Sequence, residues 1–302
     1  MRVTLTGATG RIGGGLAQAL AARGDEVTVL TRDPQRAATR LPAGVTPVTW
    51  DPTAGPAPAE ALAGRDGVVH LAGEDVAQRW SSEAKQRIRA SRELGTRNLV
   101  AGLRAADPRP AALVSGSASG YYGPHGDERI DEGAPAGDDF LAAVCVAWEH
   151  EARRAEELGM RVAIVRTGIV LDEHGGALKK MLTPFKLGVG GPVAGGRQYM
   201  PWIHRDDEIG LLLAALDSRA FSGPVNGSAP EPVTNREFSK ALGRALRRPA
   251  VAPVPAAAIK ALYGEMSEIV VNGVRMVPGR AGELGYTFRH PDLDEALRSA
   301  LA

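Results

Sequence analysis

Gly7-Ala8-Thr9-Gly10-Arg11-Ile12-Gly13 sets three glycines between a strand-like run at residues 3–6 and a helical pattern. Glycine adopts positive φ in a tight turn and lets backbone N–H groups come close to a pyrophosphate. The helix that starts near Arg11 adds donors and a dipole that favours an anion. The spacing is GxxGxxG rather than GxGxxG, so its meaning comes from its place between strand and helix. Glycines in such a turn can also serve only close packing. The tip of the second strand reads Leu30-Thr31-Arg32-Asp33. An acid at that tip accepts hydrogen bonds from a ribose 2′-hydroxyl, whereas an arginine accommodates a 2′-phosphate. Thr31 stands where the acid would be expected, and Arg32 follows with a planar, permanent charge suited to phosphate. Asp33 is the acid if the register shifts by one residue, or else a cap for the next turn. The reading favours NADP(H) as cofactor.

Such a turn needs strands and helices to hold it. Short β-rich runs at residues 3–6, 26–31, 45–49, 68–72, 112–117 and 162–170 alternate with amphipathic stretches. Ile12, Leu16, Ala17, Leu20 and Ala21 recur at helical spacing, with Gly24 as a stop. Phe140, Leu141, Val144, Cys145 and Trp148 repeat the pattern behind Asp138 and Asp139, which favour a helix N-terminus. The alternation predicts an α/β, Rossmann-like fold, a doubly wound parallel sheet covered by helices on both faces. Further on, a glycine-rich loop spans 188–196, a helix carries Ile209, Leu212, Leu213 and Leu216, and a strand returns near 224–226. Thr234-Asn235-Arg236-Glu237 is a capping-box signature. The expected domains are a nucleotide-binding unit over residues 1–228 and a smaller substrate-side region over 229–302.

Composition narrows the partners. Over 302 residues, 36 Lys+Arg stand against 35 Asp+Glu, a net charge of +1, which gives no electrostatic footprint for nucleic acid or an anionic membrane. One cysteine, Cys145, excludes an internal disulfide and any four-thiolate zinc site. No run approaches the ~18 apolar residues of a membrane span. With the first residues reading as a strand, the expectation is a cytoplasmic protein.

Further strings fall in order behind the glycine turn: His70-Leu71-Ala72-Gly73-Glu74, Ser115-Gly116-Ser117-Ala118-Ser119-Gly120-Tyr121-Tyr122-Gly123, and Trp202-Ile203-His204-Arg205-Asp206-Asp207. Gly264-Glu265, Val277-Pro278 and Leu284-Gly285-Tyr286-Thr287-Phe288 follow in the tail. Together they resemble the extended short-chain dehydrogenase/reductases, and within them the atypical "epimerase family protein" branch with a C-terminal domain of unknown function. The resemblance implies a nicotinamide cofactor across the strand ends, with Leu71, Ala72 and Gly73 beside it. It further implies a Ser91-Arg92 pair pointing toward the cofactor and residues 167–170, Val170 among them, flanking the nicotinamide. Arg92 could instead lie on a solvated helix face. Glu74 would meet substrate or nicotinamide amide, or else pair with an arginine such as Arg79. The resemblance is compatible with a homodimer.

The superfamily's proton chemistry uses a serine, a tyrosine and a lysine four residues after it. Aligned on Trp148-Glu149, Leu141 and Cys145 stand where tyrosine and lysine should be. Tyr121, Tyr122, Tyr199, Tyr263 and Tyr286 all lack a lysine four residues on, so the dyad is absent. Ser117 matches the superfamily serine, and its hydroxyl could bond a substrate carbonyl or alcohol. Tyr121 and Tyr122 follow on the same loop, either as substitutes for the missing phenol or as aromatic packing. His204 with Asp206 or Asp207 reads as an element in which the acid caps a helix. His70, His125, His174 and His290 are too scattered for a metal set, so no metal is expected. Cys145 reads as a small buried hydrophobe. The 188–196 loop could close as a lid or merely bridge two layers. Glu265 and Arg275 are cleft candidates, Arg275 as a carboxylate or phosphate clamp, with surface salt-bridging as the alternative. The expected function is an NADP(H)-dependent oxidoreductase or nucleotide-sugar-epimerase-like enzyme acting on a small polar substrate. The alternative is a catalytically silent NADP(H)-binding regulatory or scaffold protein, which the absent dyad supports.

Overall fold

A computed structural model describes residues 1–302. Its strands, in chain order, are β1 (Arg2–Thr6), β2 (Glu26–Thr31), β3 (Thr46–Thr49), β4 (Gly67–His70), β5 (Ala112–Ala118), β6 (Arg129–Ile130), β7 (Arg161–Thr167), β8 (Ile169–Leu171), β9 (Tyr199–Met200), β10 (Trp202–His204), β11 (Gly223–Gly227), β12 (Val233–Thr234) and β13 (Arg275–Met276). Seven of them form one sheet in the order β11-β7-β5-β4-β1-β2-β3, every neighbouring pair parallel. Strand order reverses at β1 and β4, which opens a crevice beyond their carboxyl ends. The α/β class read from the alternation is the fold observed.

The helices are α1 (Arg11–Ala22), α2 (Pro34–Ala38), α3 (Ser82–Ala105), α4 (Phe140–Arg153), α5 (Gly176–Lys186), α6 (Arg205–Asp217), α7 (Asn235–Leu246), α8 (Ala256–Tyr263), α9 (Ser267–Val271), α10 (Gly279–Glu283) and α11 (Leu293–Ala300). On one sheet face Leu16 and Leu20 of α1 and Leu211, Leu212 and Leu216 of α6 bury against Val3, Leu5, Val27 and Val225. On the other, Leu99 and Leu103 of α3 and Ala152 of α4 bury against Val68, Leu113 and Ile164. No helix is long and apolar enough to cross a membrane.

The run at 162–170 is not one strand. Gly168 breaks it, because a Cβ there would lie 2.1 Å from the Pro201 carbonyl oxygen. β8 then pairs with β10 outside the main sheet. The expected division at 228/229 does not coincide with a break in packing. A third core joins Leu171, Leu178 and Trp202 to Phe238, Leu242, Ala296 and Leu297, and Ala281 belongs to the core under α1 and α6.

Candidate active site at the strand ends

Gly7 has φ +75°, and a Cβ on it would sit 2.7 Å from the carbonyl of Leu71. A Cβ on Gly13 would lie 2.4 Å from the Gly7 oxygen. The turn is therefore pressed against the end of β4 and against its own helix. Gly10 is the N-cap of α1 and offers no side chain to it, and the first turn holds no acid. The opening N–H groups of α1 are thus left for a ligand. Arg11 contributes backbone to this turn, but its guanidinium is turned to Asp172, with bonds of 2.8 and 3.0 Å. Burial works against the charge on Asp172, yet the bonds from Arg11 and the His174 N–H, with the charges of Arg11 and Arg205, together outweigh it and hold the carboxyl below its usual range. Thr9 is exposed at the turn, while Ile12 packs on the core.

At the tip of β2, Asp33 is the N-cap of α2 and accepts the Arg36 N–H at 2.9 Å. Thr31 Oγ1 accepts the Asp33 N–H at 3.4 Å. Arg32 is exposed between them. The acid is thus engaged as a cap, and the guanidinium is the side chain presented at this tip.

The end of β4 hangs on a buried relay that sequence reasoning missed. Leu71 and Ala72 each donate a backbone N–H to Thr6 Oγ1 at 3.1 Å. With both lone pairs of Thr6 so used, its hydroxyl donates to His70 Nδ1 (2.8 Å), which leaves His70 Nε2 to donate to Thr96 (3.0 Å). Burial lowers the His70 pKa to about 4, so the ring stays neutral. Past the strand, the Glu74 N–H donates to Ser91 Oγ at 2.9 Å, and Arg92 donates to the Glu74 carbonyl at 3.0 Å. Arg92 is not on a solvated face: it stacks on Trp148 at 5.2 Å, and its guanidinium lies against exposed Gly73. Burial lowers its pKa. The Glu74 carboxylate meets Gln78 and Arg87, not Arg79, which reaches the Ala261 carbonyl instead.

Ser117, Glu149, Arg166, Tyr122 and Asn226 form one buried network. Ser117 Oγ donates to Glu149 Oε1 at 2.8 Å, and Arg166 grips both carboxylate oxygens at 2.8 and 2.9 Å. Arg166 also donates to Tyr122 Oη (2.9 Å), which donates to Asn226 Oδ1 (2.7 Å). Burial opposes the charge on Arg166, but the bonds and charge of Glu149 together with Tyr122 outweigh it and raise its pKa. This corrects the pairing of Tyr122 with Tyr121 as candidate acids. Tyr122 is 1% exposed, its proton is engaged, and burial pushes its pKa up to about 12. Tyr121 is half-buried, and its ring centroid lies 3.4 Å from the Arg166 guanidinium carbon.

Leu141, at the position of the usual tyrosine, packs on Gly120, where a Cβ would lie 3.2 Å from its side chain. Cys145 is buried, which pushes its thiol up to about 12. Glu149 and Arg166 were missed as well. Arg166 had a signal, being the one charged residue inside an apolar strand run, where a buried partner is obligatory. Thr167, which follows it, donates to buried Glu208 at 2.7 Å, and Val170 is half-buried in β8 against Ile203.

Two further expectations change. His204 itself caps α6, accepting the Asp206 N–H at 3.1 Å. Asp207 holds the tail, accepting from Tyr286 Oη (2.9 Å), the Arg289 N–H (2.7 Å) and the His290 N–H (2.9 Å). His290, distant in sequence, stacks on His204 at 3.8 Å, and with Asp206 the two make a group of metal-ligating type. His204 Nδ1 is already engaged as the cap. The 188–196 loop is a bridge: Val193 N donates to Asn235 Oδ1, and Ala194 and Val254 exchange bonds with their neighbours across it. Glu265 pairs with Lys85, and Arg275 lies over Tyr199 and donates to the Asp127 carbonyl.

Residues 3–226 match the model of the NAD dependent epimerase/dehydratase family, and residues 254–300 match a domain of unknown function (DUF1731). The chain is 41% identical over 297 residues to Epimerase family protein MT2273 of Mycobacterium tuberculosis, covering 98% of this chain and 96% of the relative. It is 40% identical over 310 residues to the chloroplastic SDR39U1 homolog of Arabidopsis thaliana, covering 100% of this chain and 87% of the relative. A crystal structure of human epimerase family protein SDR39U1 (isoform2) with NADPH superposes with a TM-score of 0.88 at 37% identity, covering 99% of both chains.

Proposed function

Because the chain belongs to the NAD dependent epimerase/dehydratase family, we propose that it is an NADP(H)-dependent oxidoreductase of small polar substrates, with epimerisation through transient oxidation as a variant of the same chemistry. The observation that carries the choice of nucleotide is the β2 tip, where Asp33 is consumed as a cap and Arg32 is exposed and free of any ion pair. The human relative's structure holds NADPH, which supports the same reading. The glycine turn fits a pyrophosphate, because a side chain at Gly7 or Gly13 would fill the cradle.

In this reading the backbone at Gly7, Gly10, Arg11, Ile12 and Gly13, with Thr9, holds the diphosphate, and Thr31 and Arg32 receive the adenosine ribose and its 2′-phosphate. Leu71, Ala72, Gly73 and Glu74 line the nicotinamide end, with Arg92 beneath them and Val170 opposite. When bound, NADP(H) supplies or accepts the hydride that interconverts an alcohol and a carbonyl, with one proton released or taken up. Ser117 bonds the substrate oxygen. Tyr121, whose hydroxyl is not buried away from solvent, is the phenol left to give or take the proton.

Calorimetry tests the reading. NADPH should bind more tightly than NADH, and Arg32→Ala should remove most of that preference; equal affinities in the wild-type chain would overturn it. A silent NADP(H)-binding protein is the second reading, favoured by the filled positions at Leu141 and Cys145. Tight NADPH binding without absorbance change across a broad carbonyl panel would favour it.

A further inference from the structure

Ser117 faces a carboxylate that has no freedom. Both oxygens of Glu149 are held by Arg166, and Arg153 lies 3.9 Å from Oε2. Arg166 is held in turn by Tyr122 and lies over the Tyr121 ring. Ser117 and Glu149 are each 4% exposed and Arg166 is 2% exposed, so water does not loosen the set. A carboxylate gripped bidentately by a guanidinium is ionised, and an ionised carboxylate can only accept hydrogen bonds. The single proton of Ser117 therefore points at Glu149, 2.8 Å away. Cys145 is no competitor, since a thiol is a weak acceptor and its own Sγ faces the Ala118 carbonyl at 4.0 Å.

We infer that Glu149 is a positioning residue that fixes Ser117 as a hydrogen-bond acceptor, so that the site receives its substrate as an alcohol, hydroxyl proton toward Ser117, rather than as a carbonyl. A carbonyl oxygen in the same place would set lone pairs against lone pairs. The alcohol form is then held and the carbonyl form released. The inference rests on the oxidoreductase reading, but the polarity of Ser117 can be measured apart from it.

Joint X-ray and neutron diffraction on deuterium-exchanged crystals grown with NADP+ reads that polarity directly. The Ser117 deuteron is expected on the line to Glu149 Oε1. A deuteron turned away from Glu149, or one residing on Glu149, overturns the inference. Cofactor density in the same crystals reports separately on the proposed function, so the two can fail independently. In solution, Glu149→Leu removes the acceptor and frees the serine proton for the ligand. Across matched secondary alcohol and ketone pairs, KM for alcohol oxidation should rise roughly tenfold while kcat changes less, and KM for the ketone should fall. An unchanged ratio of the two KM values in folded Glu149→Leu overturns the inference. Should that variant not fold, the neutron measurement on the wild-type chain decides alone.

Discussion

Glu208 carries a buried carboxyl with no cation beside it. Thr167 donates to its Oε1 at 2.7 Å, while Oε2 has no partner and lies 2.7 Å from where a Cβ on Gly227 would be. Burial raises its pKa from 4.5 to about 7. Between those values the folded chain keeps a proton that the unfolded chain has lost. Stability therefore falls as pH rises through that window, by roughly 3 kcal/mol once it is crossed. Glu208→Gln should flatten the slope. Urea unfolding across the window checks it, and a slope that survives the substitution would place its origin elsewhere. The two adjacent tyrosines divide by the same logic. Tyr122→Phe strands the Arg166 N–H and Asn226, at a cost of about 1–3 kcal/mol. Tyr121→Phe, which breaks no buried hydrogen bond, should cost clearly less. Equal denaturation midpoints for the two variants would contradict the network.

Among the elements, the β1–α1 turn gives the sharpest contrast. Alanine is the better helix former, by about 1 kcal/mol over glycine. At Gly13, however, a Cβ would lie 2.4 Å from the Gly7 oxygen and 2.8 Å from its carbon, both backbone atoms that cannot yield without opening the turn. At Gly10 it meets only the Gly7 oxygen, at 3.2 Å. Gly13→Ala should lower the melting temperature and abolish most NADPH-induced stabilisation, whereas Gly10→Ala should keep much of both; the reverse order would remove the turn from the binding site. This turn was legible in the sequence because its strand, glycines and helix are contiguous. So were the sheet strands, whose apolar runs carry their own period. The Ser117–Glu149 bond was not, for it joins β5 to α4 across 32 residues, and nothing local distinguishes Glu149 from a helix-surface acid. Arg32 and Asp33 lay between. Their types were readable, but which one is consumed as a cap depends on where α2 begins.

For the whole molecule, the C-terminal region is built into the sheet-bearing unit. Ala281 is buried in the core under α1 and α6, and Leu284, Tyr286 and Phe288 pack against it. Asp207, with no exposed surface, ties this apolar contact down by accepting from two tail N–H groups and the Tyr286 hydroxyl. Sequence pattern placed Asp207 as a helix cap because its partners lie about eighty residues on, beyond the reach of any local signature. Asp207→Ala leaves the part-buried Arg289 and His290 N–H groups without their acceptor, while Tyr286 can still donate to the residue 207 carbonyl, 3.0 Å away in the wild-type chain. Each part-buried donor so stranded costs about 1 kcal/mol. The loss falls on the contact between tail and sheet, not on the sheet, so the tail should open as a unit well below the global unfolding free energy. Hydrogen exchange should then quicken at α11 and around Tyr286 while amides in β1, β4 and β5 keep their protection. Uniform quickening over the whole chain would show that tail and sheet unfold together and that Asp207 is a global rather than a local tie.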